Sequence, residues 1–274
     1  MSVTVLRMDR VPASSLGCYG GWQFATPAID TLAANGIVCN HLYCFDRLLD
    51  VAAIVANARI VPVTVSAELE SLGPLLDSCQ RWHPSTLSEY DDEQLEDLWG
   101  DFVEAPEKLA DLPLSLRLGL HAYWVEEIDR NLVDLFDTLE SENWVLLSGS
   151  GEPLVERELG LDARRPLRPA MQHLPLLFGG DGLTEIPARI TAPLAVDDLP
   201  AVLAALDADG TAADDSVRAW RTGIHCREEF TYQTSDAVMS VTPQWWCHVP
   251  GGDADTADVD KVALFHRPDD PWGL

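Results

Sequence analysis

The sequence predicts an α/β fold: a mostly parallel sheet flanked by helices, followed by a small C-terminal antiparallel β subdomain. The N-terminal part has the order strand, loop, helix, strand, which is typical of a crossover unit between parallel strands. A long amphipathic helix followed by an apolar strand repeats this alternation near the middle of the chain. With 274 residues, of which 47% are hydrophobic, the chain can bury a sizeable core.

The first predicted strand spans residues 3–8 (VTVLRM), which are β-branched and apolar enough to be buried. Asp9 follows directly at its carboxyl end. Open α/β sheets bind their ligands beyond the carboxyl ends of their strands. Asp9 is therefore predicted to lie at the functional edge of the sheet.

The first predicted helix begins at Thr26, an N-cap residue, with Pro27 at the first helical position. The pair Asn35-Gly36 is a C-terminal stop signal that marks its end. Residues 37–43 (IVCNHLY) then form a second strand-like run. These signals predict a short helix between two strands.

The second helix is predicted from apolar residues that recur at three- and four-residue steps. They are Leu116, Leu120, Trp124, Ile128, Leu132, Phe136 and Leu139. Asn143 interrupts this pattern before the strand at residues 144–148 (WVLLS). The acidic, proline-marked residues 89–113 are predicted to form an exposed loop with short helical pieces.

The C-terminal part is predicted to be a separate β subdomain. Two acidic, glycine-containing breaks lie at residues 207–216 and 250–260. Between and after them are the short strand-like runs VRAWRT, DAVMSV, WWCHV and KVALFH. The predicted boundaries are an α/β domain at residues 1–210 and a β subdomain at residues 216–274. Trp22, Trp245 and Trp246 could stack on carbohydrate, but packing within the protein is the favoured interpretation.

The composition limits the partners and the location. The net charge of −27 and the pI near 4.3 disfavour binding to nucleic acid and to anionic membranes. No apolar run is long enough to cross a bilayer, and the N-terminus lacks the features of a signal peptide, so a cytoplasmic protein is expected. The six cysteines have no close metal-binding spacing and are expected to be free thiols.

The segment from Asp9 to Tyr43 resembles the opening of sulfatases of the alkaline-phosphatase-like superfamily. Those proteins typically have a strand ending in Asp-Asp, then Leu-Gly-Cys-Tyr-Gly, then Thr-Pro-Asn-Ile-Asp-x-Leu-Ala-x-x-Gly and Asn-x-Tyr. The corresponding residues here are Asp9-Arg10, 16–20 (LGCYG), 26–36 (TPAIDTLAANG) and 40–43 (NHLY). Residues 144–152, 173–180 and 192–207 are similar to later strands and a helix of the family.

The resemblance implies a sulfatase-like fold and a site for sulfate ester hydrolysis, with a calcium ion held by oxygen ligands. Asp9 keeps one carboxylate of the first acidic pair, whereas Arg10 replaces the other and is expected to repel a divalent metal. In the later metal turn, Gly149 and Ser150 replace a ligand and its neighbour. Asp9 is therefore the one vestigial metal ligand that the resemblance assigns.

The family's nucleophile is a formylglycine made from the Cys of Cys-x-Pro-Ser-Arg, and this motif is absent. The best register puts Leu48 at the nucleophile position and Ala52 at the Arg position. Cys44 is predicted to be a buried strand cysteine. Three arginines lie near the family's sulfate-binding Lys and could hold an anion, although a solvated basic turn is favoured: Arg164, Arg165 and Arg168.

Two functions remain open. The first is a catalytically degenerate sulfatase-like protein with no catalytic residues and no cofactor, acting as a binding or regulatory module whose vestigial cleft takes a protein partner or a small-molecule ligand. The alternative is a metal-dependent sulfuric or phosphoric ester hydrolase with a rebuilt site, using Ca²⁺. The acids available to such a site are Asp9, Asp46, Asp50, Glu152 and Glu156.

Overall fold

The computed structural model of the protein has an α/β architecture with a second, smaller sheet. It describes residues 3–21, 23–44, 58–82, 87–109, 111–136, 143–151, 173–180, 188–191, 193–207, 229–233, 237–242, 244–250 and 262–266. In these ranges, no helix has both the length and the apolar composition needed to span a bilayer.

In the described part of the chain, the main sheet has seven strands and the second sheet has four. The strands of the main sheet are β1 (Val3–Met8), β2 (Ile37–Tyr43), β3 (Arg59–Pro62), β4 (Asn143–Ser148), β5 (His173–Gly179), β6 (Ala188–Ile190) and β7 (Leu194–Ala195). Those of the second sheet are β8 (Phe230–Gln233), β9 (Ala237–Val241), β10 (Trp245–Pro250) and β11 (Ala263–His266). The helices are α1 (Pro27–Ala34), α2 (Gly73–Trp82), α3 (Asp92–Glu104), α4 (Leu114–Val133) and α5 (Leu199–Asp207).

The main sheet has the order β3-β1-β4-β5-β2-β6, and β7 also pairs with β2. Among the described strands of this sheet, β5 alone runs antiparallel to its neighbours β4 and β2. The other pairings are parallel. The predicted mostly parallel sheet is therefore confirmed, and the carboxyl ends of β1, β2 and β4 lie at one edge together with the start of β5.

Helices cover both faces of the main sheet, as the alternating side chains of β1 require. Leu6 and Met8 pack into the larger apolar cluster, which includes residues of α1 to α4. Val3 and Val5 point to the opposite face and pack into a second cluster with residues of α5. The chain thus forms the expected helix, sheet, helix layers.

The start of α1 differs from the prediction in how it is capped. Thr26 occupies the N-cap position, but its hydroxyl accepts a hydrogen bond from Gly17 N (2.9 Å) and makes no cap bond within the helix. The amides of Ala28 and Ile29 instead donate to the carboxylate of Asp129 on α4, at 3.0 and 2.8 Å. A side chain distant in the sequence therefore caps this helix.

The acidic segment predicted to be a loop contains a helix of 13 residues, α3. A capping box begins it: Asp91 accepts from Gln94 N at 2.9 Å, and the Gln94 side chain accepts from Asp91 N at 3.0 Å. Trp99 and Phe102 are buried on its inner face. The prediction of an exposed loop with short helical pieces was wrong for residues 92–104, because acidic residues on the solvent face obscured the apolar spacing of this helix.

Helix α4 follows the predicted apolar pattern but ends at Val133. The predicted helix extended to Leu139, which lies outside the described residues. Strand β4 then starts at Asn143, the residue that was expected to interrupt the helical pattern.

The contact between α2 and α4 requires a glycine at position 119. A Cβ there would lie 2.6 Å from Cys79 Cα, whereas a Cβ at Gly100 in α3 would meet nothing within 4 Å. We expect Gly119→Ala to destabilise the protein by about 1–3 kcal/mol through overpacking. Gly100→Ala should stabilise it by about 0.5–1 kcal/mol through helix propensity. Urea unfolding measures the change in the free energy of unfolding for both variants. Changes of the same sign would contradict the close packing of α2 against α4 at Gly119.

The second sheet confirms the predicted small antiparallel β subdomain, with the order β11-β10-β9-β8. Trp246 is 4% exposed and its ring contacts Tyr43 at the end of β2, with centroids 5.7 Å apart. Trp246 therefore packs between the sheets, as favoured, whereas Trp245 is 44% exposed. Trp22 and residues 208–228, which include the predicted domain boundary, lie outside the described residues.

Candidate functional site

The candidate site lies at the sheet edge where β1 and β4 end. Two serine hydroxyls connect the loops that follow these strands. Ser148 Oγ accepts from Val11 N (3.2 Å) and donates to the Ser150 carbonyl (2.7 Å). Ser150 Oγ accepts from Arg10 N (3.1 Å). These hydroxyls are engaged with backbone groups and hold the loop after β1 against the loop after β4.

Asp9 is placed at this edge, as predicted, and its carboxylate is paired with Arg7. Arg7 Nη2 and Nε lie 3.0 and 3.2 Å from Asp9 Oδ1. The two side chains are 34% and 47% exposed, so water screens the pair. Sequence reasoning missed Arg7, although its spacing of two residues along a strand puts it on the same face as Asp9.

Gly149 faces the same carboxylate from the neighbouring loop. A Cβ at this position would lie 2.6 Å from Asp9 Oδ1 and 3.0 Å from Arg7 Nε. A side chain at position 149 would thus point directly at the Arg7–Asp9 pair. Glycine leaves that space to the arginine.

Arg10 packs within the helical layer. Its guanidinium lies 4.3 Å from the Phe102 ring centroid and 5.1 Å from that of Trp124. Its Nη1 donates to the Phe102 carbonyl at 2.5 Å, in the last turn of α3, where a cation is favourable. The backbone of Arg10 is left-handed, with φ of 60°, which is uncommon for a residue with a side chain. The cation on the Asp9 carboxylate is therefore Arg7.

A serine and a histidine form a buried pair beneath this layer. Ser15 Oγ and His121 Nε2 are 3.0 Å apart, and the two residues are 3% and 0% exposed. Burial, with the nearby charge of Arg10, lowers the pKa of His121 to about 3, so the ring is neutral at physiological pH. Within the described ranges, His121 Nδ1 has no partner that would orient it as a base. Because the pair is buried from solvent, we interpret it as part of the packed core and not as a catalytic Ser–His pair.

Two histidines lie close together at the same sheet edge. His41 and His173 have ring centroids 5.7 Å apart, and the Tyr43 ring is 5.6 Å from that of His173. Tyr19, from the LGCYG segment, places its hydroxyl at the irregular pairing of β2 with β5, where it accepts from Leu176 N at 2.9 Å. The antiparallel pairing of β5 with β2 brings these two histidines together.

Several predicted site residues lie outside the described part of the chain. They are Asp46, Leu48, Asp50, Ala52, Glu152, Glu156, Arg164, Arg165 and Arg168. Cys44 is buried, at 2% exposure, as predicted.

The described residues at the site do not by themselves make up a calcium-binding set. Calcium takes six to eight oxygen ligands. Among the described residues, no group of three or more His, Cys, Asp or Glu side chains could hold a metal ion. The Asp9 carboxylate is paired with Arg7, and the residue at position 149 is a glycine, which has no side chain that could bind a metal ion.

The whole chain is similar in structure to several solved proteins, although no family model and no curated protein matches its sequence. BT4656, solved in complex with its substrate D-glucosamine-2-N,6-O-disulfate, gives a TM-score of 0.63 at 11% identity over 99% of this chain and 92% of that one. BT1596, a 2-O GAG sulfatase, gives 0.60 at 11% identity over 99% and 86%. The phosphonate monoester hydrolase of Agrobacterium radiobacter gives 0.55 at 10% identity over 99% and 90%.

These similarities agree with the resemblance of the N-terminal segment. The motif residues that are retained, from LGCYG to the strand ending at Tyr43, occupy the loop, α1 and β2. At such low identity the likeness establishes the fold. The chain has a sulfatase-like fold.

Proposed function

We propose that this chain is a catalytically degenerate sulfatase-like protein that acts as a binding or regulatory module. One observation carries the proposal: the carboxylate of Asp9, where a metal ligand is expected, is paired with Arg7 at 3.0 Å, and the position that faces it is Gly149. The site therefore offers an internal ion pair where ester hydrolysis would need a metal ion.

Loss of several catalytic elements supports the same proposal. The resemblance puts Leu48 at the nucleophile position, and a leucine cannot attack an ester. Nucleophile, metal and anion-binding groups act as a unit whose contributions are not additive, so the loss of two removes most of the rate enhancement. A small-molecule ligand or a protein partner is then the proposed occupant of the cleft at the sheet edge.

A reducing compartment fits the cysteines. Those in the described ranges are not in disulfides: Cys18, Cys39, Cys44, Cys79 and Cys247. Burial raises the pKa of both Cys18 and Cys79 to about 12, so neither is a reactive thiolate at neutral pH. The cytoplasm is the proposed location, because free thiols are the rule there.

The alternative proposal is a metal-dependent sulfuric or phosphoric ester hydrolase with a rebuilt site. It is supported by the retained Asp9 carboxylate, which is 47% exposed and open to a ligand, and by structural neighbours that are a sulfatase and a phosphonate monoester hydrolase. In this case the acids outside the described residues would complete a calcium site.

Calcium titration and ester hydrolysis assays separate the two proposals. We expect no calorimetric calcium site dependent on Asp9, and no turnover of para-nitrophenyl sulfate or phosphate above background. Asp101→Ala is the matched control for Asp9→Ala, because Asp101 is also an exposed acid paired with a cation, Lys108, at 2.5 Å. Calcium binding and turnover that Asp9→Ala abolishes and Asp101→Ala retains would establish the hydrolase instead. The disulfated glucosamine bound by BT4656 is a suitable ligand probe in the same titration.

A further inference from the structure

Arg7, Asp9 and position 149 meet at one point in space. The Cβ direction of Gly149 leads to a point 2.6 Å from Asp9 Oδ1, 3.0 Å from Arg7 Nε and 3.3 Å from Arg7 Nη2. An acidic side chain at position 149 would therefore bring a second carboxylate to Asp9. Two adjacent carboxylates are the kind of oxygen donor set that a hard divalent cation prefers.

The Arg7 guanidinium already lies at this point. It donates from two nitrogens to the same Asp9 oxygen, and an arginine remains charged at any physiological pH. A divalent ion bound to Asp9 would have to displace this cation or stand next to it, and like charges at such a distance repel each other. The guanidinium and the metal ion would thus compete for one place.

We infer that Arg7 is a built-in cation that takes the place of a divalent metal ion on Asp9, and that Arg7 together with the missing side chain at position 149 excludes the ion. Arg10, the more obvious substitution in the sequence, does not carry this role, because its guanidinium packs on Phe102 and Trp124. The inference deepens the proposed function, since it rests on the same site. It predicts that substitutions at Arg7 and Gly149 create a metal site without any change at Arg10.

Terbium luminescence provides a direct readout. Trp124 Nε1 donates to the Asp9 carbonyl at 3.1 Å, so an ion held by Asp9 would lie close to an indole that can sensitise Tb³⁺ emission. The test variant is Arg7→Gln/Gly149→Asp. The matched control is Arg81→Gln/Gly100→Asp, which makes the same change in net charge at an arginine that is 48% exposed and at a glycine with nothing within 4 Å.

We expect the test variant to bind Tb³⁺ at least about tenfold more tightly than the wild type and the control, a difference of about 1.4 kcal/mol. Excess Ca²⁺ should displace the Tb³⁺, and adding Asp9→Asn should remove the gain. Each single variant, Arg7→Gln or Gly149→Asp, should gain less than the double variant, because one leaves a single carboxylate and the other leaves the arginine in place. If circular dichroism shows that the test variant is unfolded, Arg7→Thr/Gly149→Asp repeats the test with a residue suited to a strand.

Two results would overturn the inference. One is Asp9-dependent Tb³⁺ binding by the wild type as tight as that of the test variant. The other is a folded test variant that binds no more tightly than the charge-matched control. Metal-independent ester turnover by the wild type would overturn the proposed function and leave the inference standing, so the two failures are distinguishable.

Discussion

Arg10→Asp, which restores the acidic pair expected after β1, should destabilise the protein by about 2–4 kcal/mol and should not create calcium binding. The guanidinium contacts two aromatic rings, each worth about 0.5–2 kcal/mol in a partly buried setting. It also donates to a carbonyl at the end of α3, a position where a cation contributes about 0.3–1 kcal/mol. An aspartate loses both contributions and places a negative charge near the negative end of the helix.

Urea unfolding of Arg10→Asp beside Arg81→Asp measures this effect. Arg81 is paired with Glu126 on the surface and is 48% exposed, so its replacement should cost only about 0–1 kcal/mol. Arg10→Lys should fall between the wild type and Arg10→Asp, because it keeps the charge and loses the planar stacking. If Arg10→Asp loses no more stability than Arg81→Asp, or gains calcium affinity, the packing of Arg10 on Phe102 and Trp124 does not stabilise the helical layer.

Asp129→Ala should also destabilise the protein by about 2–4 kcal/mol. Its carboxylate accepts both first-turn amides of α1, at 3.0 and 2.8 Å, and the residue is 4% exposed. Each buried donor left without a partner costs about 1–3 kcal/mol. Burial raises the pKa of the Asp129 carboxyl, and the two amide donors oppose that rise, which is the balance expected of a buried carboxylate used as a cap.

The control for this substitution is Asp129→Asn, which keeps one carbonyl oxygen and should lose about half as much stability. Asp101→Ala, at an exposed acid, should change stability by no more than about 0.5 kcal/mol. Chemical unfolding of the three variants ranks them. If Asp129→Ala unfolds at the same urea concentration as Asp101→Ala, the carboxylate is not the cap of α1.

The regular N-terminal elements could be predicted because their signals are local. Residues 3–8 are apolar and β-branched, and they form β1 with the predicted bounds. The Pro27 start and the Asn35-Gly36 end delimit α1, and residues 37–43 form β2. The motif residues around LGCYG also predicted the fold, since a loop, a helix and a strand carry them in the expected order.

Other features could not be predicted because they depend on contacts between distant segments. The helix of residues 92–104 was obscured by its acidic solvent face, although the spacing of Leu95, Trp99 and Phe102 was a usable signal. The approach of His41 to His173 follows from the antiparallel pairing of β5 with β2, and no local pattern encodes a strand's partner. Asp129 caps α1 only because α4 packs beside it.

The sequence by itself determined the fold class, the position of Asp9 at the carboxyl end of the first strand, and the presence of arginine and glycine at positions 10 and 149, where the resemblance implies acidic residues. Only the tertiary structure decided which arginine forms the ion pair with the Asp9 carboxylate. Arg10 is adjacent to Asp9 in the chain, but its left-handed backbone and the rings of Phe102 and Trp124 take its guanidinium into the helical layer. Arg7 reaches the carboxylate because alternate residues of a strand share a face, and because the neighbouring strand presents a glycine there.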